Sequence, residues 1–433
     1  MINNFSNKKI GIWGYGKVGK SVAEFVRQQG ATVGVMDKSH QELPAWISFY
    51  DEENKDLFFA THDYIVPSPG IDITPYLEQL GTKLLPELDL FAQFFHKPII
   101  AITGSVGKTT TTSLLGQLLN LYGVKALVGG NIGIACCDLI PMQDAADCAV
   151  LEVSSFQTEH CRLFAPDLAI ITNLVPNHLD RHITMESYRN AKLCMILNQT
   201  ATQKALLPES FKEYAADIKS NITFFNANTQ PRNMLPLITF TSNWVVLEHA
   251  LMLLNLDVAQ LPTLAKSLKT PEHRLEHIAR IHDVDFYNDS KATTPTSTLS
   301  AVAQLKHRPI HLLLGGLSKG INRESLIQEL HGSVKTIACF GAEAAQLWNW
   351  CTASGICATN HATLEDAFQR CIQQAEPHDI ILLAPGGSSF DLFKDFEERG
   401  NVFKLLTYEV QKSYDADKRD CLCIKPNNDS MQT

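Results

Sequence analysis

Short apolar runs that end in glycine or a polar turn, and then pass into stretches with apolar residues three and four apart, recur along the chain. That alternation is the signature of strand, loop and helix in succession. The first such unit is Lys9 to Asp37: a strand at Ile10 to Trp13, the turn Gly14-Tyr15-Gly16-Lys17-Val18-Gly19, a helix carrying Val22, Phe25 and Val26, and a second strand ending at Asp37. Ile65 to Pro67 reads as a further strand, ending in the rigid turn Ser68-Pro69-Gly70. Ile99 to Leu121 repeats the scheme. An apolar run to Thr103 breaks at Gly104-Ser105-Val106-Gly107-Lys108-Thr109-Thr110, and Leu114, Leu115, Leu118 and Leu119 then mark one helix face.

Cys148 to Ser155 reads as a hydrophobic strand and Leu168 to Leu174 as the next apolar run, followed by a helix from Ser187 to Asn198. Between Ala201 and Trp244 the pattern weakens to short strands and loops. Helical periodicity returns at Val245 to Leu256 and Leu261 to Leu268, and Thr270-Pro271 marks a boundary. Beyond it, strands are expected at Val284 to Tyr287, Ile310 to Leu314, Thr336 to Phe340 and Ile380 to Leu383. The expected fold is α/β in three domains: a Rossmann-like domain over 1–90, a central phosphate-loop domain over 91–270 and a second Rossmann-like domain over 271–412. The polar tail, 413–433, is expected to be disordered.

Composition adds exclusions. The length of 433 residues accommodates three cores, and 45% hydrophobic with 19% charged residues is ordinary globular material. No apolar run reaches the roughly 20 residues of a membrane helix, and the N-terminus lacks a signal-peptide apolar segment, so a cytoplasmic protein without membrane contact is expected. The eleven cysteines are scattered without a C-x-x-C pair, which points to core residues and not to zinc or disulfides. A net charge of −9 with no basic cluster argues against nucleic acid.

The chemistry sits where strands end. Glycines at 104 and 107 allow backbone N–H groups to converge on phosphate oxygens at a helix N-terminus, with Lys108 as a point charge and the Thr109 hydroxyl for Mg²⁺. The spacing departs from G-x-x-x-x-G-K-[ST], since Ile102 holds the first glycine's place. Glu152, inside a hydrophobic strand, is costly unless it faces a cation. His178, just past a strand end, is a candidate second metal ligand; the alternative is an ordinary loop histidine. Lys192 falls on the inward stripe of Tyr188, Ala191 and Met195, where burial lowers a lysine pKa and neutral amine can react with CO₂ to give a metal-binding carbamate; the alternative is a lysine reaching out to water. The GYGKVG turn with Asp37 fits any nucleotide diphosphate and, alone, an NAD-dependent oxidoreductase. That reading leaves Lys108, Glu152 and Lys192 without purpose. Arg274 has the guanidinium fork that suits phosphate oxygens.

Ten motifs in one order resemble the Mur ligase family, in its D-glutamate-adding branch: GYGKVG, TGSVGKTT, GGNIG (129–133), LEVSSFQ (151–157), NHLDRH (177–182), YRNAK (188–192), HR (273–274), YNDSKAT (287–293), LLLGG with Lys319, and APGGSSFDLFKDFEERG (384–400). The resemblance spans about residues 9 to 409. It implies an ATP-driven amide ligase that activates UDP-N-acetylmuramoyl-L-alanine as an acyl phosphate and couples it to D-glutamate, in cytoplasmic peptidoglycan precursor synthesis and as a monomer. It further implies that Thr109 and Glu152 hold one Mg²⁺, and His178 with carbamylated Lys192 a second. ATP is expected at Gly104, Ser105, Val106, Gly107, Lys108, Thr109, Thr110, Asn243, Arg274 and Asp289. The UDP-substrate falls to Gly16, Lys17, Val18, Asp37, Lys38, Ser39, Ser68, Gly70 and Asn131, and D-glutamate to Thr293, Lys319, Ser389 and Phe396. Domain closure is implied too, because no single domain carries every group. Three positions depart from the family pattern. Val106 stands for an asparagine, Thr294 for another, and of the adenine-contacting helix start only Asn243 remains, within Phe240-Thr241-Ser242-Asn243-Trp244. A folylpolyglutamate-type ligase, another muramyl ligase or a catalytically silent nucleotide-binding regulator are the competing readings; the GYGKVG domain speaks against the folate type.

Overall fold

A computed structural model of the chain describes residues 4–38, 42–231, 235, 236, 239, 241–318, 320 and 322–422, with the side chains of 179, 180 and 415–422 set aside. Its contacts separate into two units, Met1–Lys269 and Thr270–Thr433. Among the described residues no helix is long and apolar enough to cross a membrane.

The first unit holds two parallel sheets. The smaller is built from β1 (Lys9–Trp13), β2 (Thr32–Met36), β3 (Ile47–Tyr50) and β4 (Tyr64–Pro67), in the order β3-β2-β1-β4. The chain leaves β1 to one side and returns on the other, so the Gly14 turn sits at a topological switch point, where open α/β sheets leave a crevice for ligands. Gly19 explains the third glycine of that turn: a Cβ there would lie 2.1 Å from the Gly14 carbonyl oxygen, so only glycine lets the Lys17–Gln28 helix approach the strand end. The helix buries Val22, Ala23, Phe25 and Val26, as its periodicity predicts.

The larger sheet contains β5 (Ile99–Thr103), β6 (Ala126–Gly130), β7 (Cys148–Glu152), β8 (Leu168–Ile171), β9 (Lys204–Pro208) and β10 (Asn221–Phe225), in the order β10-β9-β8-β5-β7-β6. Every residue of β5 and β7 is buried, which accounts for their uninterrupted apolar character. The switch point lies at β5, between β7 and β8, so the glycine loop after Thr103 opens into the crevice beside Glu152. Leu114, Leu115, Leu118 and Leu119 of the Lys108–Leu121 helix pack in one core with Trp244, Val245 and Val246 of the Thr241–Leu253 helix.

The second unit contains β11 (Glu276–Ile281), β12 (Val284–Asn288), β13 (Ile310–Gly315), β14 (Thr336–Phe340), β15 (Ala358–His361) and β16 (Ile380–Leu383), ordered β11-β12-β16-β13-β14-β15. Only β11 runs antiparallel to its neighbour. Because β12, β16 and β13 are adjacent and parallel, the loops after Asn288, Leu383 and Gly315 emerge side by side. The last helix, Phe396–Leu422, extends into the first part of the segment expected to be disordered from 413, a stretch free of glycine and proline up to Leu422; residues 423–433 lie outside those described.

Candidate active site

In the first unit the glycine loop is held from behind. Asn173 grips Val106 twice: the Val106 N–H donates to its Oδ1 at 2.9 Å and its Nδ2 donates to the Val106 carbonyl at 2.8 Å. Thr172 Oγ1 donates to the same carbonyl at 2.7 Å, and the Ser105 N–H donates to the Asn173 carbonyl at 3.1 Å. Ser105 Oγ donates to the Val175 carbonyl and accepts from the Val175 N–H and the Tyr188 hydroxyl. The N–H groups of Ser105 and Val106 are therefore engaged within the protein. The donors that helix geometry directs along the axis toward a phosphate are those of the first turn, which begins at Lys108. Gly107 has φ of 88°, and a Cβ there would lie 2.5 Å from Oδ1 of Asn243. Asn243, expected at a purine, is buried against this loop, with its Nδ2 donating to Thr239 Oγ1 at 2.7 Å.

Two amines converge on one carbonyl. Lys108 Nζ donates to the Gly104 oxygen at 2.9 Å and to the Ser105 oxygen at 3.2 Å, while Lys192 Nζ donates to the Gly104 oxygen at 3.0 Å and to Thr103 Oγ1 at 3.3 Å. Lys192 is 1% exposed and its amine lies 4.5 Å from the centre of the Tyr188 ring. Burial, reinforced by the neighbouring Lys108 charge and opposed by Glu152, holds its pKa well below the ordinary lysine value. The structure thus places this amine inside, as the helical stripe predicts. Glu152 is 2% exposed; its Oε1 accepts from Asn131 Nδ2 at 2.9 Å, and its Oε2 has no hydrogen-bond partner among the described residues. A buried carboxylate oxygen without a donor, near two amines and the Thr109 helix start, is a donor set suited to a hard divalent cation. His178, at φ 55°, packs edge-on to Phe156 with ring centres 5.1 Å apart, and 6.3 Å from Tyr188. Among the described residues no group of three or more His, Cys, Asp or Glu residues forms a ready-made metal cluster.

Around the smaller sheet the Gly14 turn is pinned on both sides. The Tyr15 N–H donates to Asp37 Oδ2 at 2.6 Å, and Ser68 Oγ donates to the Gly14 carbonyl at 2.8 Å. Gly16 and Gly70 face open space, Lys17 and Lys38 are exposed, Val18 is half-buried, and Lys17 Nζ reaches the Gly133 carbonyl. Ser39 lies outside the described residues. Asn131, expected on a substrate, is exposed yet committed to Glu152 by its N–H as well as its amide.

In the second unit, the buried Asp289 accepts from the Leu275 N–H at 3.2 Å. Burial raises its pKa to about 6 against the opposing charge of Arg274. Thr293, Ser389 and Phe396 come from the neighbouring loops and the helix that follows, with Lys291 Nζ 5.4 Å from the Phe396 ring centre. Lys319 lies outside the described residues. Sequence reasoning missed two fully buried arginines beneath these loops. Arg323 donates to the Gly315 and Gly316 carbonyls at 2.8 Å each and pairs with Glu343 at 2.6 Å; Arg399 donates to the Gly387 carbonyl and, at 2.7 Å, to that of Ser290. No periodicity flags a guanidinium that serves as internal scaffolding.

A glycine loop on a parallel-sheet switch point, with the half-buried Lys108, the buried Lys192 and a carboxylate beside it, defines a phosphate-loop α/β enzyme class. Comparison with known proteins narrows the class: the Mur ligase middle domain matches residues 102–243, and the Mur ligase glutamate ligase domain matches residues 273–387. The chain is 35% identical over 454 residues to the UDP-N-acetylmuramoylalanine–D-glutamate ligase of Koribacter versatilis, covering 95% of this chain and 99% of that one. It is 34% identical to the enzyme of the same name from Acidobacterium capsulatum, over 92% and 96% of the two chains. Among solved structures, MurF ligase from Thermotoga maritima in complex with ADP superposes with a TM-score of 0.59 at 16% identity, over 95% of this chain and 96% of that one, a likeness of fold. The chain belongs to the Mur ligase family.

Proposed function

We propose that the chain is an ATP-dependent ligase that joins D-glutamate to the alanyl carboxylate of UDP-N-acetylmuramoyl-L-alanine in cytoplasmic peptidoglycan precursor synthesis. The relatives' shared activity supports the reading, and the observation that carries it in this chain is the pairing of the phosphate loop with the partnerless Oε2 of Glu152 and the buried Lys192. An alanyl carboxylate oxygen attacks the γ-phosphorus of ATP, ADP leaves, and the acyl phosphate forms. The D-glutamate nitrogen then adds to the carbonyl carbon, and the tetrahedral adduct collapses to the amide with release of phosphate.

Such phosphoryl transfer needs positioning and neutralised charge more than covalent help. Lys108, released from the Gly104 carbonyl, meets the outer phosphate oxygens, and the first turn of its helix supplies N–H donors. Thr109 and Glu152 would hold one Mg²⁺, and His178 with Lys192, as its carbamate, a second. Magnesium supplies charge neutralisation of the phosphates and polarises the transferring group. Arg274 and Asp289 are assigned to ATP, and Thr293, Lys319, Ser389 and Phe396 to D-glutamate. The turn around Gly16 with Asp37, Ser68 and Gly70 is assigned to the UDP portion. Phosphate release from ATP tests the reading: release that needs both the UDP-linked alanyl donor and D-glutamate supports it. Reduction of NAD, or no turnover, refutes it.

A further inference from the structure

Within the first unit a cleft is lined by Ser68, Ile71, Glu87, Gln157, His160 and Arg181, among others. Glu87 is 4% exposed. Its Oε2 accepts from Gln157 Nε2 at 3.2 Å, and its Oε1 is buried without a hydrogen-bond partner among the described residues. The other end of the Gln157 amide is also fixed, because its oxygen accepts from the Ser154 N–H at 3.0 Å and from Ser154 Oγ at 3.1 Å. The chain of contacts from Glu87 through Gln157 to Ser154 therefore sets the turn that follows β7 and forms one wall of the cleft. We propose that Glu87 is a positioning residue of this cleft: it fixes the Gln157 amide and so sets the wall against which an anionic acyl donor binds.

This inference rests on the ligase reading, which supplies a donor carrying a diphosphate and a carboxylate. Burial of the Glu87 carboxyl, at 4% exposure, disfavours its charged form. Burial lifts Glu87 to about 7, helped by the nearby Asp138 and opposed by Gln157 and by the N–H and thiol of Cys136. Cys137 and Cys161 also face it; burial keeps these two thiols and that of Cys136 neutral. Burial and Arg181 lower the pKa of His160, with Asp72 opposing, and the Arg181 guanidinium is itself paired with Glu159 at 3.3 Å and Asp72 at 3.8 Å. As pH rises past 7, Glu87 gains a buried negative charge behind a cleft whose resident cation is Arg181, and an anionic ligand binds less well. Reciprocally, the bound donor raises the Glu87 pKa further.

Calorimetric titration of the full chain with UDP-N-acetylmuramoyl-L-alanine, without ATP, tests this. If only the neutral acid admits the donor, the wild-type Kd rises about tenfold from pH 6 to pH 8. Glu87→Gln, which keeps an acceptor for Gln157 but cannot ionise, should bind at the low-pH strength throughout. Glu87→Leu, which leaves the Gln157 N–H unanswered, should bind more weakly at both pH values with kcat at saturating donor preserved. A wild-type Kd that is level across this range, or a Glu87→Gln variant that retains the pH dependence, overturns the inference. Phosphate release by the wild-type enzyme at pH 6 checks the ligase reading separately.

Discussion

Lys192 and Lys108 share the Gly104 carbonyl, and the buried Lys192 is poorly placed to carry a full positive charge. The two ammonium groups repel across the loop, and Lys192 has no water to screen it. The amine therefore sheds its proton at a lower pH than an exposed lysine and presents a nitrogen lone pair to CO₂. Carbamate formation replaces a cation with an anion at a point flanked by Lys108, which converts repulsion into attraction. Protein equilibrated with ¹³C-bicarbonate should show a carbamate carbonyl resonance that is lost in Lys192→Met. A wild-type spectrum without that resonance removes Lys192 from the metal ligands.

At the scale of elements, the phosphate loop is shaped less by its own glycines than by the segment after β8. Asn173 holds both ends of the Val106 peptide and Thr172 adds a second donor to its carbonyl, so the loop keeps its course although valine replaces the polar residue usual in the family. Asn173→Ala leaves a buried N–H and a carbonyl short of partners; it should lower unfolding stability by about 1–3 kcal/mol and raise the KM for ATP. An unchanged denaturation midpoint and KM would assign the loop's shape to Gly104 and Gly107 alone.

The central strands were legible in the sequence because both faces are buried: β1, β5, β7, β8, β13 and β16 read as apolar runs. Apart from the interior β9, which fell in the weakly patterned stretch, most of what the pattern did not show lies at sheet edges. β3, β6, β11 and β15 each end a sheet and carry mixed, partly exposed residues such as Ala358-Thr359-Asn360-His361, so neither alternation nor a continuous run marks them. The same holds at the site. Lys108 stood out by its place in the glycine turn, and Glu152 and Lys192 as charged groups in apolar settings, whereas Asn173, Glu87, Arg323 and Arg399 act through partners that one-dimensional periodicity does not encode.

For the whole molecule, three sheets in two units each present glycine-rich or polar loops at strand ends. The glycine loop with Lys108, Glu152 and Lys192 lies in the first unit; Arg274 and Asp289, assigned to ATP, and the loops assigned to the amino acid lie in the second. That division suits a reaction in two stages, activation of a carboxylate and then its capture by an amine, with the acyl phosphate as the species common to both. Isotopic labelling of the donor tests this most directly. With ¹⁸O in the alanyl carboxylate, ATP and D-glutamate, the phosphate released should carry one ¹⁸O atom per turnover. Phosphate free of label, with amide formed, would contradict the account.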